Sequence, residues 1–320
     1  MKAAYYTVNG EPEVLTYGDL PDPKAKEGEV VVRVQAVSLE GGDVLSRRNM
    51  APPTTPYVVG YAAAGVIASI GPGVIDLDVG QRVACFNWKG SHAELFAVPQ
   101  HFVFPVPDAL EIDAAAVGLI AFGTAHDGLF EFGALQKGET VLVQGAAGGV
   151  GLAAVQLAHR AGAKVIATAS TLSRLAKLRD FGATHGIDYR DEDIAQRALS
   201  LTDGKGVDMV IDLAGGKAQA SLLKTLRYRG RYIPLGGASG ERVAFEIADL
   251  APNSLAIITA LFGKELHTPR VHAMIQAIFA DMAGGSLTMP IDKKFALSQA
   301  AHAHRHAEEG HPFGRIVLVP

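Results

Sequence analysis

Residues 141–151 read VLVQGAAGGVG and continue as LAAVQLAHRAGA to residue 163. A short apolar run enters a glycine-rich turn, and the turn opens an amphipathic, helix-like stretch. Gly148 and Gly151 keep the last two glycines of the G-x-G-x-x-G fingerprint, with Ala146 at the place of the first. A glycine at the second place lets the backbone approach a pyrophosphate, and one at the third lets the helix pack tightly on the sheet. The helix N-terminus then offers unpaired N–H groups and a positive dipole end to the phosphates. The fingerprint alone is weak; its context decides. From Lys137 onward the apolar segments TVLVQG, KVIATA, HGIDY, VDMVIDLAG, GRYIPLGG and SLAIITALF alternate with helical stretches. Six strands in such alternation predict a Rossmann-type, doubly wound parallel sheet, so the fold class is α/β.

The place that would select the cofactor lies about 20 residues after the turn, where NAD-binding proteins put an Asp or Glu on the ribose hydroxyls. Here it reads ATASTLSR, residues 167–174, without a carboxylate. Ser170, Thr171 and Ser173 bring hydroxyls and Arg174 a cation, a set that suits a 2′-phosphate. The expected cofactor is therefore NADPH rather than NADH. The plainer alternative is that Ser170 only caps the next helix and Arg174 is a solvated charge.

Up to about residue 110 the text is strand-like and punctuated by Pro, Gly and Asp: EVVVRVQAVSL, YVVGYAAAGVIASIG, DVGQRVACF and HAELFAVPQHFVFPVP. An antiparallel, partly closed β domain is expected. After Phe262 come a helix from Pro269 to about Ala283, the segment IDKKFAL, the helix-like SQAAHAHRHAEEG and a last strand GRIVLVP, which together rejoin the first domain. The expected division is 1–117 with 267–320, and 118–266.

Composition narrows the function classes. With 320 residues, 48% hydrophobic, 19% charged and a net charge of −4, there is no basic footprint for nucleic acid or anionic lipid. The longest uncharged apolar runs fall short of the roughly 20 residues a bilayer span needs. With no secretory leader read at the start, a cytoplasmic location is expected. The single cysteine, Cys85, reads as a small core hydrophobe and rules out an internal disulfide.

PDPKAKEGEVVVRVQAVSL, GPGVIDLDVGQRV, GTAHDGL, VLVQGAAGGVG, DLAGG and FGRIVLVP, taken together, resemble the medium-chain dehydrogenase/reductase superfamily, and within it the zinc-independent quinone oxidoreductases related to zeta-crystallin. The resemblance implies that the first domain is a GroES-like, partly closed β-barrel. Zinc-using relatives carry a G-H-E-x-x-G box; here residues 60–65 read GYAAAG, with Tyr61 and Ala62 in place of His and Glu. The loop that holds a cysteine ligand in those relatives reads EGGD, and a four-cysteine structural lobe is absent. No metal site is expected, since a catalytic zinc needs about three protein ligands. Hydride delivery to a quinone or to the β-carbon of an enone or enal needs no Lewis acid, because the conjugated oxygen absorbs the charge and hydrogen-bond donors steady it.

By the same resemblance, Thr124 lies beside the nicotinamide ribose, and Gly148, Gly149 and Val150 bracket the pyrophosphate. Ser170, Arg174 and Tyr189 surround the 2′-phosphate. Gly236 and Gly237, ending the strand RYIPLGG, and Leu261, ending LAIITAL, approach the nicotinamide side. Tyr61, Glu40 and Asp43 fall where relatives line the catalytic site, with Tyr61 and Glu40 as proton-handling candidates; Glu40 could instead simply pair with Arg47. In HAHRH, His302 and His306 have i, i+4 spacing, but no carboxylate accompanies them at a metal-site spacing, and a solvated patch is expected. His92 and His126 read as structural. The competing functions are a zinc alcohol dehydrogenase and a non-enzymatic, crystallin-like binding role. The apolar run NSLAIITALF at the sheet end suggests an edge covered by its twin in a homodimer.

Overall fold

The run from Thr140 to Gln144 is a strand, and the turn after it delivers the chain into helix Gly149–Arg160. The structure, a computed structural model, describes residues 1–241 and 244–320. The strand lies inside a six-stranded sheet whose order is His185–Asp188, Lys164–Ala169, Thr140–Gln144, Val207–Asp212, Leu226–Pro234, Ala256–Ile257, all neighbours parallel. Val141, Leu142, Val143, Val165, Ile166, Val210 and Ile211 are fully buried, as expected of a parallel sheet covered on both faces. The chain runs outward one way from Thr140–Gln144 and then returns to its other side at Val207. The glycine turn therefore sits at the reversal of strand order, where open α/β sheets bind ligands.

This sheet belongs to one of two units, Ala121–Phe262. Its last strand is shorter than the apolar run SLAIITALF suggested: only Ala256 and Ile257 pair, with Arg231 and Tyr232. Leu261 lies past the end of pairing and is 59% exposed.

The other unit comprises Met1–Ile120 and Gly263–Pro320. Its main sheet runs Ile291–Ala296, Arg315–Val319, Glu29–Leu39, Ala62–Ile70, Arg82–Phe86, Val103–Pro105. The eleven-residue strand Glu29–Leu39 organises it. One edge pairs with Ala62–Ile70; the other is shared, Glu29–Arg33 against Leu95–Pro99 and Val37–Leu39 against Ile316–Leu318. Val30, Val32, Val34, Val37, Leu39, Ile67, Val83, Phe96, Ile316 and Leu318 fill the core beneath it, together with buried Cys85. Burying each large aliphatic or aromatic side chain contributes about 1.5–3 kcal/mol. A smaller sheet joins Lys2–Tyr6 to Thr16–Asp19 and Tyr57–Val58. The segment Gly263–Pro320 contributes strands Ile291–Ala296 and Arg315–Val319 to this unit. Helix Pro269–Ala283 starts where Thr268 accepts the Val271 N–H, with Pro269 in its first turn. Among the described residues, no helix is long and apolar enough to cross a membrane.

The HAHRH stretch departs from a solvated patch. It lies on helix Ala300–Glu309, and Ala300, Ala303 and His304 form the buried face at i, i+3, i+4. His302 stays exposed and His306 meets Asp292 at 2.8 Å. His304 instead approaches His92, Nε2 to Nε2 3.2 Å, both rings fully buried. Burial pushes His92 down to about 3. Burial, then the neighbouring His92 and Arg47, hold His304 well below its usual value. Both rings are thus neutral when folded, and one can donate its single Nε2–H to the other.

The unfolded chain protonates these histidines near pH 6.5, and the folded chain does not. Their contribution is complete above that pH and is lost as pH falls below it, for His92 until about 3, by up to about 1.4 kcal/mol per pH unit for each ring. Urea midpoints between pH 7.5 and 5 should fall more steeply for the wild type than for a His92→Gln, His304→Gln double variant. Equal slopes would refute the assignment.

Candidate functional site

In the parallel-sheet unit the site is built around the turn after Gln144. Gly145 has φ +76°, a left-handed conformation that favours glycine, and its carbonyl accepts the Gly148 N–H at 3.2 Å. The Thr168 hydroxyl donates to Gln144 Oε1 and accepts the Gly145 N–H at 3.4 Å, so the neighbouring strand pins the turn. Gly148 caps the helix with extended backbone, and the helical ladder begins with the Leu152 N–H to Gly148 O at 2.8 Å. The N–H groups of Gly149, Val150 and Gly151 precede that ladder and have no acceptor within the helix.

The two fingerprint glycines have different reasons to be glycine. A Cβ on Gly151 would lie 2.3 Å from Gly145 O and 2.7 Å from Ala146 Cα, inside the backbone. A Cβ on Gly148 would meet only Gly145 O, at an ordinary 3.7 Å. Gly151 is required by packing. Gly148 leaves a cradle that the protein itself does not fill, and the unpaired N–H groups follow directly after it. These residues fit a dinucleotide pyrophosphate.

The cap of helix Leu172–Asp180 is Thr171, whose Oγ accepts the Arg174 N–H at 3.3 Å, and not Ser170. Ser170 is buried and follows strand Lys164–Ala169 directly. The adjacent strand His185–Asp188 leads into Tyr189, whose N–H donates to Ala169 O at 3.2 Å. Ser170 and Tyr189 thus leave neighbouring strand ends together, with Tyr189 43% exposed and Arg174 half-buried in the first turn of the next helix.

Two further loops leave the same end of the sheet. Strand Leu226–Pro234 stops two residues before Gly236, so the glycines lie past the strand and do not end it. Asp212, fully buried, holds this region. Its Oδ1 accepts the N–H groups of Ala214 at 2.9 Å and Gly215 at 3.0 Å, Oδ2 accepts the Tyr232 hydroxyl, and its carbonyl accepts the Leu235 N–H at 2.8 Å. A Cβ on Gly236 would strike Leu213 O at 2.6 Å, whereas nothing lies within 4 Å of one on Gly237. Thr124, half-buried, stands one turn before the π-helical turn Asp127–Glu131. That turn packs Gly128 against Leu235, so the Thr124 segment and the Gly236 loop share one neighbourhood. Asp212 and Thr168 were not singled out in the sequence. A carboxylate ending an apolar strand just before LAGG was the available signal for the first.

In the other unit, Glu40 stands at the N-terminus of helix Gly41–Asn49 and is 1% exposed. Its Oε1 accepts the Ser38 hydroxyl at 2.7 Å and its Oε2 lies 2.5 Å from Arg315 Nη2. The partner that the sequence offered as an alternative, Arg47, is elsewhere: it pairs with Glu308 at 2.7 Å and donates to Gly10 O. Arg47 is seven residues along the helix, about 10 Å of rise from its start, which takes it out of Glu40's reach. Asp43 accepts the Glu40 N–H with Oδ2 at 2.9 Å, while its Oδ1 is buried without a hydrogen-bond partner. Burial raises the Glu40 carboxyl, with Arg315 and the Ser38 hydroxyl pulling it back. Burial also holds Asp43 well above the usual carboxylate range, and the Glu40 charge adds to this against the Glu40 N–H and Arg315.

Tyr61, half-buried, lies over this helix start: a Cβ on Gly42 would be 2.9 Å from its Cε1 and 3.0 Å from its hydroxyl. Only glycine at 42 leaves room for the ring. Burial, then the Glu40 and Asp43 charges, hold the phenol well above its usual value against the smaller pull of Arg315 and the Gly42 N–H. The hydroxyl therefore stays protonated at neutral pH. Among the described residues, no three His, Cys, Asp or Glu side chains come together as a metal site would require.

Comparison with known proteins adds to this geometry. The alcohol dehydrogenase GroES-like domain family matches residues 26–108, and the zinc-binding dehydrogenase family matches residues 149–280. A quinone oxidoreductase of Pseudomonas aeruginosa is 32% identical over 100% of this chain and 99% of its own length. A 2-haloacrylate reductase of a Burkholderia species is 31% identical over 99% and 98%. The solved structure of Escherichia coli quinone oxidoreductase complexed with NADPH superposes with a TM-score of 0.95 at 27% identity, covering 100% of both chains.

Proposed function

We propose, from the premise that this chain belongs to the medium-chain dehydrogenase/reductase family and is an oxidoreductase of its quinone oxidoreductase kind, that it reduces quinones or α,β-unsaturated carbonyls with NADPH and without a metal. The observation that carries the reading is Tyr61: at the place of a zinc ligand in metal-using relatives stands a phenol that its surroundings keep as an O–H donor. The zinc named in one matching family does not fit the residues here. Tyr61 and Ala62 occupy the box, and no group of three ligands assembles among the described residues.

NADPH, when bound, supplies the hydride. The N–H groups of Gly149 and Val150, with the open side of Gly148, hold the pyrophosphate, and Ser170, Arg174 and Tyr189 hold the 2′-phosphate. Thr124, Gly236, Gly237 and Leu261 border the nicotinamide side. Tyr61 donates its hydroxyl hydrogen to the substrate carbonyl oxygen as charge builds there. Yielding the proton outright would leave a phenolate beside two acids, so water completes the protonation. Glu40 has both oxygens engaged and serves as a positioning residue: with Arg315 and Asp43 it fixes the helix start on which Tyr61 rests.

The test is NADPH and NADH oxidation against a panel of quinones and acyclic enals. At least a tenfold preference in kcat/KM for NADPH is expected, as one charge-assisted phosphate contact supplies about that. Tyr61→Phe should lower kcat on the order of a hundredfold with little change in NADPH affinity. Equal use of the two cofactors, or full turnover by the variant, would overturn those parts. Chelator-sensitive alcohol oxidation would favour the zinc alcohol dehydrogenase reading, and cofactor binding with no turnover on any substrate a binding role. The exposed edge at Ala256–Ile257 supports a homodimer, which light scattering checks.

A further inference from the structure

Trp88 is the only tryptophan in the chain, and it is half exposed, at 50%. A surface indole is ordinarily free to rotate, but this one stands on a tethered loop and is packed on two sides. The Trp88 backbone N–H donates to Asn87 Oδ1 at 2.9 Å, and Asn87 Nδ2 is tied to Ala97 O at 2.9 Å, which fixes the loop after strand Arg82–Phe86. Phe86 meets the indole edge-to-face at 5.0 Å and 78°. Gly263 lies against its rim: a Cβ there would come within 2.7 Å of Trp88 Cη2, so any side chain at 263 would push the indole out. Phe86 also meets Tyr61 at 5.8 Å and 63°, so Trp88 and Tyr61 flank a single buried ring. The exposed Lys264 places its Nζ 5.7 Å from the indole centroid.

A fixed, half-exposed indole beside a cation is built to receive a flat ring. Its π-face is electron-rich, so an electron-poor ring stacks on it favourably, and an ammonium alongside attracts a carbonyl oxygen of that ring. An acyclic enal offers too little flat area to use such a shelf. We propose that Trp88, backed by Phe86 and flanked by Lys264, is the subsite for the ring of a fused-ring quinone, which makes such quinones the preferred class among the substrates proposed above. This rests on that proposed activity for its role in turnover, but the binding itself does not depend on turnover.

Because Trp88 is the sole tryptophan, its emission reports the subsite directly. Protein without cofactor is titrated with 9,10-phenanthrenequinone or with crotonaldehyde, and free N-acetyltryptophanamide serves as the absorption control. Saturable quenching by the quinone beyond that control, and none by the enal, is expected. In steady state, Trp88→Ala should raise KM for the quinone about tenfold more than KM for the enal, the value of one stacking contact, and Trp88→Phe should recover part of the loss. Quenching that does not saturate, or KM changes of equal size for both substrates, would overturn the subsite. Saturable quenching by the quinone with no reduction of either compound would instead count against the proposed activity and leave the subsite standing.

Discussion

Gly148→Val is expected to weaken NADPH binding about a hundredfold, about 2.7 kcal/mol, while the protein stays folded. The position has extended backbone, φ −81° and ψ 171°, which a β-branched residue adopts readily, and a Cβ there meets nothing closer than 3.7 Å. The new methyl groups therefore enter the space in front of the helix N-terminus rather than the protein. Isothermal titration with NADPH beside a thermal melt separates the two effects. Unaltered affinity would mean that the pyrophosphate lies elsewhere. Gly151→Val supplies the contrast: its Cβ would collide with backbone atoms that cannot move aside, so it should lose stability as well as binding.

Arg315→Leu is expected to cost about 3–5 kcal/mol, because it strands a carboxylate that is 1% exposed. The Ser38 hydroxyl would remain as the one side-chain donor to Glu40, and the unpartnered Oδ1 of Asp43 leaves no second cation in reserve. Adding Glu40→Gln should restore a large part of the loss, since an amide needs no counter-charge. Chemical denaturation of the two variants and the wild type measures this. A single variant as stable as the wild type would show that the pair is not what holds the helix start.

What the sequence made legible and what it hid divide along the range of the interactions. The parallel sheet was readable because each strand is a local apolar run bounded by its own turn, and the glycine turn carries its chemistry within eleven residues. Helix Pro269–Ala283 was readable at the bounds the structure gives it. The partners of charged and titratable groups were not. Glu40 is met by Arg315 from the far end of the chain, and His304 by His92 across 212 residues, so a polar-looking HAHRH hid a core face. Local spacing could bring Arg47 to mind for Glu40, but only the tertiary fold decides which cation arrives. The cap at Thr171 rather than Ser170 was a one-residue ambiguity between adjacent hydroxyls. In SLAIITALF, hydrophobicity overstated the strand because an edge strand has a neighbour on one side only.

Strand Arg315–Val319 sits between Ile291–Ala296 and Glu29–Leu39 and carries the guanidinium that meets Glu40. During translation the described strands of the parallel-sheet unit are all made once Phe262 has left the ribosome, whereas Glu40 in the other unit must wait for Arg315, some 50 residues later. Residues 1–120 thus complete their unit only after the whole of the unit that follows them in the chain has been made.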